Sequence, residues 1–114
     1  MKDRDAMVIE ALERNGSDTS KPHQIDFFLD FERFEQAAPV AQAMDRDGFE
    51  VRVFENSDGT HTIEAKRLLV PSLETMRDIT TQLNALTDKH GGNYDGWGTE
   101  GNNRGQTTVF NDFT

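Results

Sequence analysis

Residues 23–31 read His-Gln-Ile-Asp-Phe-Phe-Leu-Asp-Phe, and residues 32–47 continue Glu-Arg-Phe-Glu-Gln-Ala-Ala-Pro-Val-Ala-Gln-Ala-Met-Asp-Arg-Asp. The change of period between them decides the fold. In the first run Ile25, Phe27, Leu29 and Phe31 fall on one side of a strand, and Gln24, Asp26, Phe28 and Asp30 on the other. That alternation is a strand with one buried face. In the second, Phe34, Ala37, Ala38, Ala41 and Met44 recur at helical spacing until Gly48. Pro39 sits inside this segment. A proline there removes a backbone donor and crowds the preceding turn, so a kink or a restart is expected.

Downstream the strand period returns. Phe49, Val51 and Val53 share a face, Asn56-Ser57-Asp58-Gly59 is a turn signal, and residues 60–68 form a third strand with His61, Ile63 and Ala65 on one side. The two runs make a β-hairpin. Pro71-Ser72 opens a second helix, with Ser72 as N-cap and Leu73, Met76, Ile79, Leu83 and Leu86 as its apolar stripe. Lys89 and His90 suit its negative end, and Gly91-Gly92 stops it. Residues 93–99 are a fourth strand. Upstream, residues 3–14 read as a short amphipathic helix ended at Asn15-Gly16, joined by a polar linker to the first strand.

The order is β-α-β-β-α-β with a helix in front, the split βαβ pattern. The expected fold is therefore α+β and ferredoxin-like: a four-stranded antiparallel sheet with two helices on one face, plus the N-terminal helix. Three regions follow: residues 1–22 as helix and linker, 23–100 as the domain, and 101–114 as a tail rich in Gly and Asn. Residues 100–106 read as mobile, and 107–113 as a short edge strand or docked tail.

Composition narrows the function. The chain has 114 residues, one domain's worth, and a formal net charge of −9 from 21 acidic and 12 basic residues. Such a surface repels nucleic-acid phosphate and anionic lipid and suits a basic partner. There is no cysteine, which excludes disulfides and thiolate chemistry. No apolar run approaches the ~20 residues that span a bilayer. The opening Met1-Lys2-Asp3-Arg4-Asp5 does not resemble a secretory signal, so a cytoplasmic location is expected.

The chemical motifs are weak. Gly96-Trp97-Gly98-Thr99-Glu100-Gly101 matches G-x-G-x-x-G, but it ends the last strand and no helix follows. Glycines that let the Trp ring lie flat explain it better. Asp45-Arg46-Asp47-Gly48 lacks the later ligands of a calcium loop. His23, His61 and His90 lie on separate elements, and no nucleophile elbow is present. No catalytic residue, metal site or cofactor is expected.

The far side of the sheet offers more. Phe28 and Phe54 are out of phase with the apolar positions of their strands, and Asp26, Asp30, Glu50 and Glu64 face outward with them. Aromatics on such a face stack on bases in RNA-recognition modules, but those are basic, so direct nucleic-acid binding is not expected. A protein contact surface fits better: Asp26, Phe28, Asp30, Glu50, Phe54 and Glu64, with Asp95 and Trp97 near its edge. Tyr94 or Trp97 would join the outer aromatics, although Trp97 could equally be core.

One stretch carries a resemblance. Lys89-His90-Gly91 followed by Tyr94-Asp95-Gly96-Trp97-Gly98-Thr99, with the earlier step Gly48-Phe49-Glu50-Val51, resembles the RraB family, protein inhibitors of the endoribonuclease RNase E. The resemblance covers roughly residues 6–100. It implies a ferredoxin-like fold, no catalytic activity, and binding to the basic C-terminal scaffold of RNase E, so that RNA cleavage falls. The chain departs from the family's pattern at Pro39, in its short turn at residues 56–59, and in a tail where Asn102-Asn103-Arg104 is not acidic. The alternative is a small dimerising interaction domain, with Phe28 and Phe54 in a self-interface.

Overall fold

The computed structural model describes residues 4–100 and 108–110. Its elements are α1 (Arg4–Arg14), β1 (His23–Phe31), α2 (Phe34–Arg46), β2 (Glu50–Glu55), β3 (His61–Leu69), α3 (Leu73–Lys89), β4 (Asn93–Glu100) and β5 (Thr108–Phe110). The strands form one sheet in the order β2-β3-β1-β4-β5, and every neighbouring pair is antiparallel. The fold is α+β, with the order of elements expected up to β4. A fifth strand lies where a short edge strand was one expectation; residues 101–107 and 111–114 of that tail lie outside the described residues.

The alternation of β1 decides what is inside. Ile25, Phe27 and Leu29 are fully buried, and Phe31 nearly so. Opposite them on β3 stand Arg67, Ala65, Ile63 and His61, and on β4 Phe27 faces Trp97 directly. The helices close over this face. Val40 and Met44 of α2, Met76 of α3 and Leu12 of α1 complete one apolar cluster. Each such side chain contributes about 1.5–3 kcal/mol through the apolar surface it removes from water. Phe27 and Phe49 meet edge to face with centroids 5.5 Å apart, a geometry that adds to their burial.

Local chemistry sets the helix ends. The Ser72 hydroxyl accepts from the Thr75 N–H at 3.2 Å, as expected of an N-cap. At the start of α2 the Arg33 N–H donates to Gln36 Oε1 at 3.0 Å. α3 ends when the Gly92 N–H reaches back to the Thr87 carbonyl at 2.8 Å, with Gly91 at φ 76° between them. Only glycine holds that left-handed turn cheaply. α1 and α2 end in the same way at Gly16 and Gly48. Pro39 neither ends nor restarts α2, which runs as one helix from Phe34 to Arg46. The carbonyl left without its usual donor is that of Glu35, an exposed residue in the first turn where water can reach it.

α1 is part of the same core. Val8 and Leu12 are buried within it. At its start Asp5 is buried too, and its Oδ1 accepts from Trp97 Nε1 at 2.7 Å and from the Thr80 hydroxyl at 2.9 Å. One carboxylate oxygen thereby joins α1, α3 and β4.

Candidate functional site

The face of the sheet turned away from the helices is built from the second set of alternating positions. Strand pairing aligns them in rows. Glu50, Lys66, Asp26 and Gly98 lie side by side across β2, β3, β1 and β4. The next row is Arg52, Glu64, Phe28 and Gly96, and the third is Phe54, Thr62, Asp30 and Asn93. Residues opposite one another in a sheet are close enough to interact, so each row is a physical unit.

Several contacts fix these side chains. Arg52 Nη1 lies 3.8 Å from Glu64 Oε1, and its guanidinium sits 4.8 Å above the Phe54 ring. The Thr62 hydroxyl donates to Asp30 Oδ1 at 2.7 Å and accepts from Asn56 Nδ2 at 2.9 Å. The hairpin turn is tied to the same group through Thr60, which Asn56 Nδ2 also reaches at 3.0 Å. Asp95 lies where β4 slips against β1: Phe28 pairs with Gly96 and Leu29 with Tyr94, so Asp95 is the extra residue of a bulge. Partial burial pushes its carboxyl above the ordinary aspartate range, the negative charge of Asp30 adds to that, and Arg4 opposes it. Arg4 donates from Nη2 to the Asp95 carbonyl at 2.9 Å.

The surface is therefore acidic with an aromatic component. It brings together Asp26, Phe28, Asp30, Glu50, Phe54 and Glu64 as read from the sequence, with Asp95 beside Asp30. Phe28 and Phe54 do not sit in one row; β3 separates their strands. Phe54 is 38% exposed at the sheet edge, and Phe28 is half-buried.

Trp97 does not belong to this surface. Its side chain is fully buried on the helix side, opposite Phe27 and bonded to Asp5. Tyr94 is on the helix side as well, and burial pushes its hydroxyl above the ordinary range. Strict alternation would put residues three apart on opposite faces. The bulge at Asp95 inserts one residue and returns both rings to the same face. Gly96, at φ 115°, is the residue that permits it.

Sequence reasoning missed three contributors. Arg52 and Lys66 are the cations set among the carboxylates, and Thr62 orients Asp30. The period of β2 and β3 was enough to place all three on this face.

Among the described residues no three His, Asp or Glu side chains are grouped to hold a metal ion, and no helix is long and apolar enough to cross a membrane. A cleft of about 450 Å³ opens between α2 and α3, floored by Met44, Phe49 and Leu83, with Asp47 and Arg67 at its rim. Arg67 lies 5.2 Å over the Phe49 ring there.

Comparison with known proteins places the chain in a family. Residues 2–99 match the family described as "RraB: Regulator of ribonuclease activity B". The chain is also similar to a protein of Pseudoalteromonas atlantica (strain T6c / ATCC BAA-1087) named "Regulator of ribonuclease activity B". The two are 35% identical over 100 residues, which span 81% of this chain and 83% of the relative. The chain belongs to the RraB family, a family of regulatory proteins rather than enzymes.

Proposed function

We propose that this chain is a cytoplasmic, non-catalytic protein that binds a ribonuclease of the RNase E kind and lowers its cleavage of RNA. The contact surface is the outer sheet face, with Asp26, Phe28, Asp30, Glu50, Phe54, Glu64 and Asp95. The observation that carries this reading is the rows themselves. They hold five carboxylates, counting Asp95, against the two cations Arg52 and Lys66. An acidic face of that kind attracts a basic segment, such as the scaffold region of the ribonuclease, and competes there with RNA phosphate. The strand order supports a ferredoxin-like domain with β5 added at one edge.

The test is calorimetric titration of the protein into RNase E from the same organism, with and without its C-terminal scaffold. Binding that vanishes with the scaffold is the expected result. Binding to neither form would move the function to another partner. Glu50→Lys combined with Glu64→Lys should weaken the complex, and added salt should do the same. Indifference to both would remove the electrostatic account.

A further inference from the structure

The core of the sheet runs out to the β2 edge, where α2 covers it only in part. On the helix side one row passes from Leu29 through Ile63 to Val53. The first two are fully buried, whereas Val53 is 36% exposed. Phe34, 52% exposed at the start of α2, lies edge-on to His61 of the neighbouring strand with centroids 5.7 Å apart. On the other face Phe54 is exposed as well. β2 is the last strand of the sheet on this side, and its register with β3 is unbroken. Natural edges are commonly blunted by proline, bulges or charged side chains that repel a second strand. β2, Glu-Val-Arg-Val-Phe-Glu, has no proline and no bulge, and its charges Glu50, Arg52 and Glu55 are of mixed sign, so they block only those registers that oppose like charges.

We propose that β2 pairs antiparallel with β2 of a second copy of this chain, with Val53 on the two-fold axis opposite Val53 of the second copy. Two sheets then become one continuous sheet. Opposite residues in a sheet share a face, so a symmetric pairing must be centred on a residue. Centring on Arg52 would oppose two guanidinium groups. Centring on Phe54 would leave a shorter overlap. Centring on Val53 sets the two valines together and puts Arg52 opposite Phe54 of the second copy, twice. The cation-over-ring contact that Arg52 makes with its own Phe54 at 4.8 Å then extends across the interface. Glu55 meets Val51 and Glu50 meets Asn56, so no like charges are opposed. The helices of both copies lie on one side, and the two acidic faces become one. The pairing does not depend on which partner that face binds.

Light scattering of the whole chain across a concentration series should show the mass rising from 12.9 kDa toward twice that value. Val53→Lys should stay at the single-chain mass at every concentration, and should melt with the native chain only at dilutions where the native chain is itself single, because Val53 is partly exposed and the dimer adds stability by mass action. The absence of cysteine allows a register test. Under mild oxidation Val53→Cys should form an intermolecular disulfide on the order of tenfold faster than Arg52→Cys, since directly opposed strand positions fall within disulfide reach and diagonal ones do not. A single-chain mass at every concentration would overturn the proposal. So would a dimer that survives Val53→Lys, or equal cross-linking of the two cysteine variants.

Discussion

The two faces of this sheet are written by the same strands and obey different physics. On the helix side Phe27, Ile63 and Trp97 are fully buried, and the buried carboxylate there, Asp5, accepts two hydrogen bonds. On the far side every charged residue keeps some access to water, and the contacts are rows of ion pairs, hydroxyls and rings. Substitutions on the first face should be read in stability, and those on the second in binding. Exposed ion pairs are worth little to folding, while a buried ring or an orphaned buried donor is worth much.

The sharpest test of that division is Trp97→Ala. It should cost about 3–5 kcal/mol in chemical denaturation, because it empties a fully buried site. A near-normal stability with lost ribonuclease binding would return Trp97 to the contact surface and break the comparison. Gly92→Ala comes next. A Cβ there would stand 2.2 Å from Phe31 Cε1 and 2.8 Å from the Asp30 carbonyl, so ring or backbone must move. The expected loss is about 1–3 kcal/mol. Asp5→Ala should cost a similar ~1–3 kcal/mol by leaving the Trp97 N–H buried without its acceptor. If the loss were smaller in the Trp97→Phe background than in the native one, the difference would measure the Asp5–Trp97 coupling. On the other face Glu50→Lys with Glu64→Lys sets lysines opposite Lys66 and Arg52; it should cost about 0.5–2 kcal/mol, less than Trp97→Ala, while binding to a basic partner falls.

These contrasts also explain what the sequence could and could not reveal. The faces of β1, β2 and β3 were legible because each strand keeps strict alternation. Six of the eight proposed contact residues come from those strands, and all six lie on the far side. β4 defeated the same reasoning because the bulge at Asp95 changes phase halfway along it. Gly96 and Gly98 signalled an irregular strand but not which residue would be inserted. Asp5 was missed for a different reason. A lone aspartate in a helix's first turn reads as a favourable partner for the helix dipole, and its bond to a tryptophan 92 positions away leaves no trace in local pattern. At Pro39 the restart that local rules allowed does not occur: α2 runs as one helix, its apolar face held by Val40 and Met44.

Asp95 lies between the two faces, and its titration offers the smallest and most specific test. Its carboxyl is held above the ordinary aspartate value by partial burial and then by Asp30. The folded chain therefore binds this proton more tightly than the unfolded chain does. As pH rises from the ordinary aspartate pKa of about 3.9 through the raised folded value, the folded state binds more protons than the unfolded one, so stability falls across that window and stays lowered above it. Asp95→Asn removes the charge and keeps the backbone carbonyl to which Arg4 donates. The variant should melt slightly above the native protein at pH 7, and the difference should vanish as the pH drops below the ordinary aspartate range. Asp18 and Asp58 shift the other way, lowered by hydrogen bonds from Ser20 and Thr60, but both variants share them and they cancel in the comparison. A native protein that melts above Asp95→Asn at neutral pH would show that the carboxylate gains more from Arg4 than it loses to burial and to Asp30. Asp95 would then have to be grouped with the stabilising carboxylate of Asp5 rather than with the acidic face.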